Sequence, residues 1–244
     1  MRIEYNNLIK TFGDKTAVNI PEFSIEHGEI LGLVGNNGAG KTTLFRLTLD
    51  LLKADSGTVS LSSKRFANDG MTAATLQPSQ SEAWKAHTGA YLDEGFLLDF
   101  LTPDEYFTFV AKVNNISSNE LAQRLAYFEP LSNGEVLGQT KYIRDLSAGN
   151  KQKTGIIGAM LNQPDMIILD EPFNYLDPSG QNQLKRILQE YNQQTGATII
   201  ISSHSLHNTT DISTSIALME HGAIIRRISN ANGEAEKELE AYFA

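Results

Sequence analysis

The alternation of apolar and polar positions divides this 244-residue chain into an α/β beginning, a helical middle and an α/β end. Arg2 to Tyr5 and Ala17 to Ile25 are rich in β-forming residues, and Phe12-Gly13-Asp14 marks a turn between them. Ile30-Leu31-Gly32-Leu33-Val34 is an apolar run of strand length, and Thr43 to Leu49 suits a helix. Thr58-Val59-Ser60-Leu61-Ser62 alternates apolar with polar residues, as a half-exposed strand does. Residues 62–90 are polar and weakly patterned around Gln77-Pro78-Ser79-Gln80-Ser81, which predicts a long loop or insertion.

From about 95 to 145 the period becomes helical. Thr102-Pro103-Asp104-Glu105 places Pro in the first turn and Glu at the capping-box position, ahead of Tyr106 to Val110. Ser117-Ser118-Asn119-Glu120 opens a second helix that runs through Leu121, Leu125 and Phe128. These helices interrupt an otherwise α/β chain and predict an inserted subdomain. Beyond them, Met166-Ile167-Ile168-Leu169 is a wholly apolar run ending in acids, the pattern of a buried parallel strand. Asp177-Pro178 caps a helix with Leu184, Ile187, Leu188 and Tyr191 on one face, and Thr195-Gly196 stops it. Ala197 to Ile201 and Ser215 to Met219 are further strands, and Glu220-His221-Gly222 predicts a hairpin into Ala223-Ile224-Ile225. The charged segment 233–244 predicts a surface helix.

Composition narrows this picture only a little. The chain is long enough for one large domain or two small ones, and its 41% hydrophobic and 20% charged residues are ordinary for a globular protein. Its apolar runs are too short to span a membrane, and Met1 to Asn6 lacks the apolar core of a signal peptide. The absence of cysteine leaves no disulfide framework and no thiolate metal site, which suits the cytosol. A formal charge of −9 argues against a broad nucleic-acid surface.

The chemistry lies in Gly35-Asn36-Asn37-Gly38-Ala39-Gly40-Lys41-Thr42-Thr43, which fits G-x-x-x-x-G-K-[ST] between a strand and a helix. A triphosphate concentrates several negative charges in a small volume. Consecutive backbone N–H groups and the positive end of the next helix can meet them, with Lys41 as a mobile charge and Thr42 as a hydroxyl for Mg²⁺. The dinucleotide pattern G-x-G-x-x-G fails, because Gly38-Ala39-Gly40 continues as Lys41-Thr42-Thr43. A nucleoside triphosphate is therefore the expected ligand.

Asp170 and Glu171 end the buried strand at 166–169, where a phosphate-loop fold anchors its metal. Asp170 would hold Mg²⁺, directly or through water, and Glu171 would polarise the attacking water as general base. Leu146-Ser147-Ala148-Gly149-Asn150-Lys151-Gln152 opens another helix and so makes a second anion-binding N-terminus. One triphosphate seldom needs two such ends from one chain, so the economical reading is that this end serves a nucleotide held by a second copy.

With these motifs in this order the chain resembles ATP-binding-cassette (ABC) ATPases over nearly its whole length. Leu146 to Asn150 resembles their LSGGQ signature, and Asn174-Tyr175-Leu176-Asp177 their D-loop. The resemblance implies a mainly parallel phosphate-loop core, an N-terminal antiparallel β subdomain and an inserted helical subdomain at about 95–160 carrying the signature, within one domain of residues 1–244. It implies ATP against Phe12, which takes the place of the adenine-stacking aromatic, and against residues 35–43. It also implies His204 as the switch histidine, Ser147, Gly149 and Asn150 on the partner chain's ATP, and Mg²⁺ held by Thr42, Asp170 and Glu94. Three positions depart from the family pattern. Ala148 replaces a glycine, Asn150 a glutamine, and Glu94 stands where the Q-loop glutamine is expected, adding negative charge beside the phosphates. His27, His87, His207 and His221 read as surface or packing residues, and Trp84 as core.

The resemblance implies the ATP-driven motor of a transporter, acting as a pair of chains, each expected to be the same, bound to a separate permease on the cytoplasmic face of the membrane. Leu101-Thr102-Pro103-Asp104-Glu105-Tyr106 and the LSAGNKQK form of the signature look like the bacterial export-type branch. The alternative is a single-cassette ATPase serving an assembly or scaffold complex without a permease, as in iron–sulfur assembly.

Overall fold

Strict alternation at the N-terminus buries Ile3, Tyr5, Val18 and Ile20 and leaves Asn6, Asn19 and Glu22 exposed, so the chain folds back as two paired strands. In this computed structural model, residues 1–67, 72–204, 206–230 and Ala235 are described. β1 (Arg2–Phe12) and β2 (Lys15–Ile25) are antiparallel from Ile3↔Ile25 to Phe12↔Lys15, about the expected turn at Gly13-Asp14. β3 (Ile30–Val34) is wholly buried and leads through residues 35–40 into α1 (Lys41–Thr48). β4 (Ser56–Ser63) returns to the free edge of β1, and β5 (Ala74–Leu76) extends it, giving an antiparallel sheet of order β2-β1-β4-β5.

The expected loop at 62–90 needs correction. It contains the end of β4, then β5, short helical turns and most of β6 (Thr88–Tyr91). Thr88-Gly89-Ala90-Tyr91 has too little β-branched character to announce a strand. Its pairing with the buried strand at 166–169 supplies the preference that the local sequence lacks. Trp84, in the same stretch, is buried against the N-terminal core, as expected.

The helical segment comprises α2 (Pro103–Val113), α3 (Ser118–Ala126), α4 (Glu129–Ser132) and α5 (Ala148–Met160). The capping box forms: Thr102 Oγ1 accepts from Glu105 N at 3.3 Å, and Thr102 N donates to Glu105 Oε2 at 2.8 Å. The second helix ends before Phe128, because Tyr127 N and Phe128 N turn to carbonyls three residues back and Pro130 follows in α4.

β7 (Met166–Leu169), α6 (Pro178–Thr195), β8 (Thr198–Ser203), α7 (Leu206–Thr210), β9 (Ser215–Glu220) and β10 (Ala223–Ser229) complete the fold. The second sheet has the order β10-β9-β3-β8-β7-β6, parallel except for the β9–β10 hairpin. One apolar core lies between this sheet and the helices, around Phe107, Ile156, Ile157 and Leu184. A second, around Ile3, Tyr5, Leu33, Phe45 and Ile168, lies between the two sheets. The tail at 233–244 lies outside the described residues, apart from buried Ala235.

The strand order fixes the site. β3, β8 and β7 are parallel neighbours, with Val34 opposite Ser203 and Leu169 opposite Ile201. The loop after Val34, His204 after Ser203 and Asp170 after Leu169 therefore leave the sheet at the same end, where open α/β sheets bind ligands.

Candidate nucleotide site

Residues 36–43 wrap the start of α1. Gly40 is its N-cap at φ +111°, and a Cβ there would stand 2.4 Å from the Ala17 carbonyl oxygen. Only glycine fits that backbone and that approach. A cleft of about 320 Å³ opens over the loop, lined by Asn36, Asn37, Gly38, Ala39, Gly40, Lys41, Thr42 and Thr43, with Phe12, Asp170 and Glu171. Lys15 and Ala17 line it too, and neither carried a sequence signal. Gly35 does not line it; a Cβ there would meet the Met219 carbonyl oxygen at 2.2 Å, so this glycine serves packing behind the loop.

Phe12 is half exposed at the cleft, with Lys10 Nζ 5.5 Å from its ring centroid. Asp55 holds the strand end in place, accepting from Lys10 Nζ at 2.8 Å and from Thr11 N and Oγ1 at 2.7 Å each. Those donors pull its carboxyl down to about 2.

Across the cleft, Asp170 accepts hydrogen bonds from the hydroxyls of Thr42 and Ser202. Burial raises the Asp170 pKa, and the two hydroxyl donors offset this only in part. A carboxyl whose pKa is higher folded than unfolded stabilises the fold when protonated. That contribution is lost as pH rises from the unfolded pKa through the folded one. At pH 7 the charged group is thus a net cost, and Asp170→Asn is expected to raise the thermal midpoint of the nucleotide-free protein. Thermal denaturation at pH 7 and pH 4.5 checks this: the gain should shrink at the lower pH, and a loss of stability at pH 7 would contradict the account.

Lys41 is buried, donates from Nζ to the Gly35 carbonyl at 2.6 Å and stands 3.6 Å from Glu171 Oε1. Glu171 takes a left-handed backbone, φ +48°, with its N–H donated to Ser202 Oγ at 2.8 Å. Its Oε2 lies 2.9 Å from His204 Nδ1 and accepts the His204 backbone N–H at 3.3 Å. Loop, lysine, acids and histidine are thus brought to one place.

The other candidates lie elsewhere. Glu94 is exposed and pairs with Lys151 Nζ at 3.0 Å, in a neighbouring cavity of about 370 Å³ that shares Asp170 and Glu171 with the cleft. Ser147 caps α5, accepting from Asn150 N at 3.2 Å, and neither these two nor Gly149 lines the phosphate-loop cleft. Of the four histidines set aside, His87 packs on Phe66 with ring centroids 6.0 Å apart, and His207 lies 3.7 Å from Asp211.

Mg²⁺ fits the donor set. Thr42 and Asp170 put a hydroxyl and a carboxylate oxygen side by side, the hard donors this ion takes. Among the described residues no group of three acids or histidines forms a metal site by itself, as suits an ion that draws further oxygens from phosphates.

Residues 18–174 match the protein family described as "ABC transporter". The bacitracin transport ATP-binding protein BcrA of Enterococcus faecalis is 31% identical over 232 residues, covering 93% of this chain and 69% of its own length. The methionine import ATP-binding protein MetN of Lactobacillus acidophilus is 33% identical over 232 residues, covering 92% of this chain and 64% of its own. This chain thus spans about two thirds of the length of those relatives. Among solved structures, an ATP-binding subunit of an ABC transporter superposes with a TM-score of 0.81 at 22% identity, covering all of this chain and 95% of the other. A dimeric ATP-binding cassette in a post-hydrolysis state, bound to ADP and Pi, superposes with a TM-score of 0.78 at 20% identity, covering 93% and 98%. A phosphate loop, paired acids and a histidine at one end of the sheet, in a chain matched over most of its length, have one explanation: it belongs to the ABC transporter family, as an ATP-binding ATPase chain.

Proposed function

We propose that this chain powers a membrane transporter as its ATP-hydrolysing subunit, and that its site is one half of a composite. The observation that supports this most is the Lys41, Thr42, Asp170, Glu171, His204 cluster beside the phosphate loop, at the common C-terminal end of β3, β8 and β7. The loop amides and Lys41 bind the phosphates, and Phe12 stacks on the base. Thr42 and Asp170 would hold Mg²⁺, with Glu94 reaching it from the neighbouring cavity, and the ion would neutralise charge developing on the phosphates. Glu171 takes a proton from the attacking water, and His204 fixes the position of its carboxylate.

Ser147, Gly149 and Asn150 sit away from the cleft and are assigned to the ATP of a second copy. Two identical chains then sandwich two nucleotides. ATP binds the closed pair more strongly than the open one and so shifts the population; hydrolysis removes the bridging γ-phosphate. Residues 95–160 form a helical subdomain that passes this motion to a separate permease, which places the chain on the cytoplasmic face of the membrane. Among the described residues no helix is long and apolar enough to cross a membrane. Export is the proposed direction, on the Leu101 to Tyr106 string and the signature form; of the relatives, one is named for bacitracin transport and one for methionine import.

Purification of tagged chain from detergent-solubilised membranes tests the transporter reading. A co-purifying polypeptide with several membrane spans is expected; recovery only in soluble complexes would favour the scaffold alternative.

A further inference from the structure

We infer that Gln152 is a positioning residue for the hydrolytic carboxylate: it holds Glu171 in place through the backbone, so that the first turn of α5 and the base of the same chain move together. The inference rests on the reading of Glu171 as general base. Gln152 is buried, and its Nε2 donates to the Glu171 carbonyl oxygen at 3.2 Å. Glu171 adopts a left-handed backbone that a side-chain-bearing residue keeps only where its surroundings impose it. Its peptide groups are fixed from two directions. The N–H is donated to Ser202 Oγ on β8, and the carbonyl accepts from Gln152 on α5 as well as from the Asn174 N–H of its own loop at 3.1 Å. With both in place the carboxylate is aimed at Lys41 and His204.

A second contact seats the same helical turn on the same loop. Gly149 lies so close to Tyr175 that a Cβ there would stand 2.6 Å from the Tyr175 carbonyl oxygen. The turn touches the loop at both ends of residues 171–175, and Tyr175 is left-handed as well, at φ +63°. Ser147, one residue before α5, is exposed. A ligand at that end of α5 therefore acts on Glu171 across about one and a half helical turns and through one hydrogen bond. The two ends of the proposed sandwich become coupled inside each chain, not only across the pair.

The test combines steady-state and single-turnover ATP hydrolysis by the full chain. Gln152→Ala removes the donor, and Gln152→Met keeps the volume but offers the carbonyl no hydrogen. Both are expected to lower kcat by about 10–100-fold, the scale of a misplaced catalytic group, with KM for ATP and the thermal midpoint little changed. In a Glu171→Gln background Gln152→Ala should add no further loss, because its effect passes through the side chain already removed. Wild-type kcat in both Gln152 variants would overturn the inference. So would an undiminished Gln152→Ala loss in the double variant, since Gln152 would then act independently of Glu171. Full turnover by Glu171→Gln alone would instead overturn the assignment of the base, a separately readable result.

Discussion

Glu171→Gln is expected to lower ATP turnover by about 10²–10⁴-fold, the contribution of a positioned general base, while ATP still binds. The substitution keeps the side chain's shape and its reach to His204 Nδ1, 2.9 Å away in the native chain, but removes the proton acceptor. Lys41 would lose a negative neighbour at 3.6 Å, so nucleotide affinity should hold or rise. With chemistry blocked and binding intact, the closed pair has no exit, and an ATP-dependent dimer should accumulate. Phosphate release, equilibrium binding and light scattering measure the three effects separately. Turnover within about twofold of wild type would remove Glu171 from the mechanism, since even a modest general base contributes about 10².

Lys41→Ala is expected to weaken ATP binding by about 10–100-fold, as charged hydrogen bonds contribute about 1.5–3 kcal/mol each. Lys41 is buried and held by the Gly35 carbonyl, so its ammonium is already desolvated and placed at the loop. Losing that charge leaves the loop amides to face the phosphates alone. The loop itself should persist, because its shape comes from Gly40 against Ala17 and Gly35 against Met219, and not from the lysine. Binding measured with a fluorescent ATP analogue, beside thermal unfolding, distinguishes lost affinity from lost fold. Unaltered affinity would refute the phosphate-loop reading.

The sequence and the structure agree most closely where local physics dominates. The phosphate loop, the acids after β7 and the caps of α2 and α6 were legible because each needs particular residues at particular offsets. β6 was not legible, because four residues with little strand preference depend on their partner Met166–Leu169 for pairing. Lys15 and Ala17 were missed in the cleft for a similar reason: the β1–β2 hairpin carries them there, and no local pattern reports that. The pairing of Glu94 with Lys151 was equally hidden, as it joins residues 57 positions apart through the packing of α5. Gln152 lay in plain view within the signature run, yet its partner is a backbone carbonyl, for which no side-chain motif exists.

The composite site is the central claim, and mixing two disabled chains tests it most directly. Lys41→Ala disables the phosphate loop, and Ser147→Asp keeps an oxygen to cap α5 but places a negative charge at the exposed signature end, so each chain alone should be inactive. In a mixed pair one site joins the intact loop of one chain to the intact signature of the other. Equal mixing should restore about a quarter of wild-type ATP hydrolysis, since half of randomly formed two-fold pairs are mixed and each has one intact site of two. Activity no greater than the sum of the separate variants would contradict the account, for the site would then be complete within a single chain.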